Sequence, residues 1–261
     1  MRGDPKLYTT QLQAGLGLVE ETKLLLELYK PGMSTTDLYE NALSSGMFPL
    51  ISARRLRNVV AECFAPRYVK TGTAVYLKML SGRAPSSVVE QLFMFFTCKA
   101  NDVLADFIRD VYWDRFSGGR NFLLTNDAVD FVTNAVREGR TRNIWSDTTI
   151  KRVSSYLLGC CSDYGLLASN RGSSRSIHSY RIHEFTVFYL SYWLHFNGVG
   201  DAALLRHTSW QLFGLEALDV KEELNRMSRR GWLIIQSAGD VTRINWLFSS
   251  MEEIVDVISQ G

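Results

Sequence analysis

Helical spacing of apolar residues runs through most of this 261-residue sequence and constrains its fold more than any other feature. Apolar side chains recur every three or four positions, and the repeats are separated by breaks such as Pro31-Gly32, Gly46 and Gly118-Gly119. Such spacing is typical of amphipathic helices, and Gly and Pro are typical of their ends. We therefore predict a mainly α-helical chain. Its first helices are expected over about residues 10–30, 35–43, 52–65, 73–80, 86–98, 100–116 and 126–138.

The second half of the sequence adds short strand patterns to the helices. A helix predicted over residues 148–164 precedes Leu166-Leu167, a turn-rich segment at 169–176 and an alternating stretch at 177–182. The order recurs with helix 216–229, strand 232–236, turn 237–240 and strand 241–246, before a last helix at 250–258. This order predicts two winged-helix-like units with short β-hairpins, at residues 123–184 and 185–261. A helical domain containing a helix-turn-helix is expected to precede them, at residues 1–122.

Positive charge is concentrated in two segments, although the net charge is only +2. Residues 52–70 contain four arginines and a lysine against one acid, Glu62, and basic residues also outnumber acids across residues 137–182. A clustered basic surface indicates a polyanionic partner such as nucleic acid. For either cluster taken alone, an ordinary solvated surface is the alternative.

Arginines occupy the first turns of the predicted helix 52–65, which Pro66 is expected to end. Together with helix 35–43 it would form a loose helix-turn-helix, whose second helix offers its N-terminal residues to the major groove. The positive end of the helix dipole favours phosphate there. Arg54 points away from the apolar stripe, which favours DNA contact. For Arg55 and Arg57 a structural pairing with acids such as Glu62 is an equal alternative. The predicted contacts of this segment are Arg54, Arg55, Arg57 and Arg67.

The predicted helix 148–164 presents basic and small residues, including Gly159, opposite its apolar side. Small residues allow a phosphate backbone to come close, and a Gly/Ser-rich wing with two arginines follows. A flexible surface hairpin with incidental charge is the alternative for this wing. The predicted DNA contacts of this segment are Lys151, Arg152, Ser155, Arg171, Arg175 and Arg181. The C-terminal unit has an acidic helix and no basic wing, so we expect it to be a scaffold or protein-contact module.

Motifs of known enzymes are missing from the sequence. Gly15-Leu16-Gly17 lacks the third glycine and the preceding strand of a dinucleotide site. His178 and His183 lack an obvious third metal ligand, and the carboxylates Asp102, Asp106 and Asp110 are expected to form a solvated helix face. We therefore predict a non-enzymatic protein without cofactor, metal site or catalytic residues.

Cysteine usage and hydropathy bear on the compartment. The four cysteines lack metal-ligand spacing, and buried free thiols in a reducing compartment explain them. The apolar stretches 88–98 and 185–196 are far shorter than the roughly 20 residues that span a bilayer. These observations predict a cytoplasmic protein with no membrane span.

Two stretches resemble a known family. They are residues 14–28, AGLGLVEETKLLLEL, and residues 52–69, SARRLRNVVAECFAPRYV. In the second, Arg54 to Asn58 and Ala61-Glu62 through Arg67-Tyr68 form one signature. The chain resembles the BrxA family of bacteriophage exclusion (BREX) defence systems. The resemblance implies a cytoplasmic, helical protein that binds double-stranded DNA beside other proteins of the defence system, and it implies no catalytic residues. The alternative is an adaptor that scaffolds the defence complex without binding DNA itself.

Overall fold

A computed structural model describes residues 7–14, 16–169, 172–238 and 241–261. The α-helices formed by these residues are α1 Val19–Leu28, α2 Thr35–Ser44, α3 Ala53–Asn58, α4 Ala74–Leu80, α5 Ser86–Ala100, α6 Asp102–Phe107, α7 Trp113–Ser117, α8 Thr125–Arg137, α9 Asp147–Asp163, α10 Glu184–Phe196, α11 Asp201–Leu205, α12 Ala217–Arg229 and α13 Met251–Gln260. The other helical segments are the π-helices Val59–Val69 and Ile108–Tyr112 and the 3₁₀ turns Gln11–Ala14 and Trp210–Phe213. The strands are β1 Phe122–Leu124, β2 Ser174–Ser176, β3 Leu233–Ala238 and β4 Val241–Trp246. The prediction of a mainly helical chain with two small antiparallel strand pairs is confirmed.

Packing divides the chain into two compact units, whose boundaries fall within α4, within α5 and after Tyr180. The first unit consists of the chain up to Lys78 together with Phe93–Tyr180, and the second of Met79–Leu92 together with Arg181–Gly261. In the first unit the apolar side of α5 is fully buried, including Phe93, Phe95 and Phe96. Burial of an aromatic side chain contributes about 1.5–3 kcal/mol, so this run of phenylalanines stabilises the first unit substantially.

The N-terminal segment differs from the helix predicted over residues 10–30. Within the described residues it forms one 3₁₀ turn, Gln11–Ala14, and α1 begins only at Val19. Directly before α1, Leu18 adopts a left-handed conformation with a φ of 53°. A branched side chain disfavours this conformation by about 1–2 kcal/mol, so surrounding contacts must hold it. The described residues 7–14 and 16–18, which we call the arm, pack against other elements of the first unit.

Helix α3 continues as a π-helix through Pro66, which was predicted to end it. Pro lacks a backbone N–H, and its ring clashes with the carbonyl four residues earlier in an α-helix. In the wider π-helix each N–H bonds five residues back, as the C-cap Lys70 N does to Ala65 O at 2.9 Å. The local change of helix type therefore accommodates Pro66, and the helix runs on to Val69.

The strands around α8 and α9 pair differently from the predicted hairpin. Ser174–Ser176, predicted as part of a turn, form β2, which pairs antiparallel with β1, a strand that the sequence did not predict. Within the described residues, the stretch predicted as strand 177–182 forms only an isolated bridge, between Ile177 and Leu167. A strand before α8 is thus joined to one that follows α9.

The second unit contains the predicted helix 216–229 and the β3–β4 hairpin. Leu233 is opposite Trp246 and Ala238 opposite Val241, while residues 239–240 of the predicted turn lie outside the described residues. The Tyr192 hydroxyl donates to Trp232 O at 2.6 Å and accepts from Leu247 N at 3.0 Å. Helix α10 is thereby fixed to both sides of the hairpin.

Candidate nucleic-acid interface

Helix α9 presents a basic surface on its N-terminal half. The hydroxyl of Ser146 caps the helix by accepting from Thr149 N at 3.4 Å. The side chains of Lys151, Arg152 and Ser155 are exposed, as predicted, and the opposite side is buried. That buried side consists of Ile150, Val153, Leu157 and Cys161. Two cationic side chains therefore share one solvent-facing surface, which suits a polyanion.

Gly159 does not belong to this exposed surface. It was predicted to allow a phosphate backbone to approach, but the residue is buried against the arm. A Cβ at Gly159 would lie 3.1 Å from Leu16 Cδ2. The small residue therefore allows the arm, and not DNA, to pack closely on α9.

The three arginines of α3 lie in three different settings. All are exposed, and among the described residues no acidic group pairs with Arg54. Arg55 lines a cleft of about 420 Å³ together with Glu20, Glu21 and Asp163. The guanidinium of Arg57 lies 5.0 Å from the centre of the Tyr39 ring, a cation–π contact. Arg54 is therefore the side chain of this group that is most available to a ligand, whereas Arg55 and Arg57 also contact their own fold.

Arg67 is buried, with 2% of its surface exposed, so the prediction that it contacts DNA is wrong. Its guanidinium donates to the backbone carbonyls of Leu16, at 3.1 Å, and Gly17, at 3.3 Å. Gly17 N in turn donates to the Asp163 carboxylate at 2.8 Å, and Gly17 O accepts from the Tyr164 hydroxyl at 3.1 Å. Arg67 therefore fixes the arm between the π-helix and the end of α9.

The three arginines predicted to contact DNA from the wing and the stretch after it do not lie together on one surface. Arg175 is half-buried, and its Nη1 donates to Leu158 O at 3.0 Å and to Ser162 Oγ at 2.6 Å. It therefore ties β2 to α9, which is a structural role. Arg171 lies outside the described residues. Arg181 is exposed but belongs to the second unit, where its carbonyl accepts from the Gln91 amide at 2.8 Å.

Two clefts show how the π-helix and α9 are arranged. One, of about 660 Å³, is lined by Glu62 of the π-helix and by Thr149 and Arg152 of α9. The other is the cleft between Arg55 and Asp163. Arg55 of α3 therefore lies beside the end of α9, whereas Glu62 lies beside its beginning. Arg55 and Arg152 thus line different clefts.

Arg142 is a candidate contact that the sequence reasoning did not select. It is exposed in the segment between α8 and α9 and lines the larger cleft beside Arg152. Its position in the basic run 137–182 was the available signal. Only the packing of the arm, through Arg142 N donating to Tyr8 O at 3.0 Å, places it beside the start of α9.

The remaining titratable groups take structural positions. The expected solvated acidic face is replaced at Asp106 by a network with the Tyr8 hydroxyl at 2.7 Å, Arg140 at 2.8 Å and Arg109 at 3.1 Å. Burial, reinforced by this carboxylate, raises the pKa of Tyr8 well above its usual range. The ring of His183 accepts from Phe185 N at 3.2 Å and caps α10. Across the described residues no group of three or more His, Cys, Asp or Glu is arranged to hold a metal ion.

None of the helices in the described part of the chain combines the length and the apolar character that a bilayer span requires. The apolar helix α10 illustrates the point, because it ends after 13 residues.

Comparison with known proteins identifies the family. A family model, BrxA, matches residues 6–192. The fold is similar to the crystal structure of an uncharacterized protein from Magnetospirillum magneticum, with a TM-score of 0.60, 16% sequence identity, and coverage of 79% of this chain and 97% of that chain. At that identity the likeness concerns the fold alone. No curated protein matches. Because the family model covers well over half of the sequence, including both stretches that resemble it, the chain belongs to the BrxA family of BREX phage-defence components.

Proposed function

We propose that this chain is a duplex-DNA-binding component of a BREX phage-defence system, located in the cytoplasm and without catalytic activity of its own. The observation that supports it best is the exposed basic surface in the N-terminal half of the 17-residue helix α9, formed by Lys151, Arg152 and Ser155. Such a surface suits phosphate contacts, which dominate affinity for DNA and have little sequence preference.

The element order around α9 supports a winged-helix interpretation. β1 precedes α8, α9 follows it, and β2 then returns to pair antiparallel with β1, with the bridge at Leu167 alongside. In a winged helix the helix before the hairpin enters the major groove, and here that helix is α9. The described part of the predicted wing, Gly172 and Ser173, directly precedes β2. We retain the three-part division at residues 1–122, 123–184 and 185–261 as part of this proposal.

A helix-turn-helix formed by α2 and α3 is the second part of the proposed interface. Ser45 N donates to Asn41 O at 3.0 Å at the end of α2, and Ser52 caps the start of α3, so the segment between them connects two well-defined helix ends. Arg54 would be its principal contact. Arg55 and Arg57 would contribute less, because Arg55 lines a cleft with acidic residues and Arg57 lies over the Tyr39 ring. This second surface would contact DNA separately from α9.

Salt-dependent binding of the purified full chain to a labelled duplex tests the proposal. Affinity should fall steeply between about 50 and about 200 mM salt, with a logarithmic slope near −0.9 for each neutralised phosphate. Lys151→Gln and Arg152→Gln should each reduce the magnitude of that slope by about 1. The matched control is Arg229→Gln, because Arg229 is an exposed arginine on α12 of the second unit. An affinity that does not change with salt concentration, or a salt slope that is the same in both α9 variants as in the unchanged chain, contradicts the proposal.

An adaptor that binds other defence proteins is the second candidate function, and the C-terminal unit favours it. Helix α12 exposes Glu216, Asp219 and Glu222 around Leu218, which is 77% exposed. This surface would repel DNA and suits a protein partner. Co-purification with a defence protein, together with no DNA shift at any salt concentration, would favour the adaptor. Metal-dependent DNA cleavage by the purified chain would instead indicate an enzyme.

A further inference from the structure

The two most exposed large hydrophobic side chains of the described residues lie beside the two basic helices. Leu50 is 97% exposed directly before α3, and Ile144 is 93% exposed directly before α9. The next in exposure, Leu218, is on the acidic helix of the second unit at 77%. Isolated exposed apolar residues are common on protein surfaces, so exposure alone carries little weight. The repeated position relative to a basic helix is the informative observation.

The surroundings of the two side chains are also alike. A buried aromatic residue lies close in sequence, Phe48 in one turn and Trp145 in the other, each 8% exposed. A serine then caps the helix, with arginine or lysine in its first turns. Each turn therefore holds one aliphatic side chain outside the core next to cationic groups.

The turn around Ile144 is fixed on both sides. Tyr8 pairs with Thr141, with Tyr8 N donating to Arg140 O at 2.7 Å. After Ile144, Trp145 is buried and Ser146 caps α9. Only residues 142–144 project into solvent between these anchors. Ile144 is thus presented in a defined position.

On the basis of the proposed function, we propose that Ile144 is an apolar DNA-contact residue that packs against thymine methyl groups and deoxyribose carbons in the groove entered by α9. Charge complementarity identifies the occupant, because Arg142 and Arg152 line the same cleft as Ile144 and would hold flanking phosphates. Apolar side chains contact the thymine methyl in the major groove. Ile144 would then supply affinity that does not depend on salt.

The test compares Ile144→Ala and Ile144→Leu with the unchanged full chain in the same salt-dependent binding experiment. Ile144→Ala removes three carbon groups and should weaken binding by about 5- to 30-fold, the value expected if roughly two of them are buried against DNA. The salt slope should stay unchanged. Ile144→Leu keeps the apolar volume and should bind nearly as well as the unchanged chain. Leu218→Ala is the matched control and should have no effect. Because Ile144 is exposed, the thermal melting temperature should be the same for all variants.

The outcomes separate the two proposals. If the unchanged chain binds DNA and Ile144→Ala binds equally well, the proposed contact of Ile144 with DNA is wrong, while the proposed function stands. The same conclusion follows if Ile144→Leu weakens binding as much as Ile144→Ala does. If the unchanged chain binds no duplex at any salt concentration, the proposed function fails and the contact by Ile144 fails with it.

Discussion

Arg67 donates a hydrogen bond from its buried guanidinium to the backbone carbonyl of Gly17, fifty residues earlier in the chain. This contact joins the arm to the π-helix, and Asp163 holds the other side of the same residue. A Cβ at Gly17 would lie 2.6 Å from Asp163 Cβ, so only glycine fits between them. Three segments distant in sequence therefore meet at one glycine.

Arg67→Met should destabilise the chain by about 2–4 kcal/mol, because Leu16 O loses its bond to the guanidinium and Gly17 O keeps only its bond to the Tyr164 hydroxyl. Urea unfolding followed by circular dichroism measures the change. Arg67→Lys should recover part of it, since one of the two hydrogen bonds remains accessible to the ammonium group. Arg54→Met, at an exposed position on α3, is the control and should change stability by less than about 0.5 kcal/mol. Equal stabilities for Arg67→Met and Arg54→Met would refute the structural role of Arg67.

The close packing of Gly159 against Leu16 gives a second prediction. Gly159→Val should cost about 1–3 kcal/mol, because its side chain would overlap the Leu16 methyl groups, which lie 3.1 and 3.3 Å from a Cβ. In the background of Leu16→Ala the same substitution should cost clearly less. A double-mutant cycle measured by urea unfolding checks this, and purely additive effects would show that Leu16 is not the obstacle.

Sequence periodicity was sufficient for elements whose stabilising contacts are local. Helix α9 and its buried side were predicted closely, because a 3.6-residue repeat reports directly which face is apolar. The same repeat was misleading in the arm. Leu12 and Leu16 have helical spacing with Val19, but they pack against other elements of the first unit, and Leu18 interrupts the helix between them.

The geometry of the candidate site depends on contacts between distant segments, which the spacing of residues in the sequence does not predict. Arg54 and Arg67 are the same residue type in the same basic segment. Only the contacts of Arg67 with carbonyls of a distant segment explain why it is buried. Strand β1 has three residues and is stabilised by a partner about fifty residues away, so no local pattern marks it. Pro66 was treated as a helix end because the π-helix that accommodates it is rare.

Asp201 protects the edge of the β3–β4 hairpin. Its carboxylate accepts from Ile244 N at 2.9 Å and from Trp246 Nε1 at 3.4 Å. Asp201→Ala should destabilise the second unit by about 1–3 kcal/mol, because the Ile244 N–H loses its partner. Asp201→Asn retains an acceptor oxygen and should cost less. Hydrogen exchange of the Ile244 amide measures the local effect, and unchanged protection in Asp201→Ala would contradict it.

The cysteine thiols should be unreactive while the chain is folded. All four are buried and free. Burial raises the pKa of Cys98 to about 12, against an ordinary value near 8.5, so at pH 8 the reactive thiolate is scarce. A chromogenic disulfide reagent should therefore modify the native chain slowly and all four thiols quickly after unfolding in urea. Rapid reaction of any thiol in the native chain would show that the first unit opens readily.

Substitution of Arg175 should lower the stability of the chain, whereas substitution of Arg152 should weaken its phosphate contacts with DNA. Arg175 contacts Leu158 O and Ser162 Oγ, whereas the side chain of Arg152 is exposed on α9. Arg175→Ala should therefore lower the free energy of unfolding by about 1–3 kcal/mol, because β2 loses its attachment to α9, and the salt slope of binding should stay nearly constant. Arg152→Gln should do the opposite, reducing the slope by about 1 with little loss of stability. Urea unfolding and salt-dependent binding of both variants provide the comparison. A changed slope in Arg175→Ala at full stability would mean that Arg175 leaves its structural position to contact phosphate.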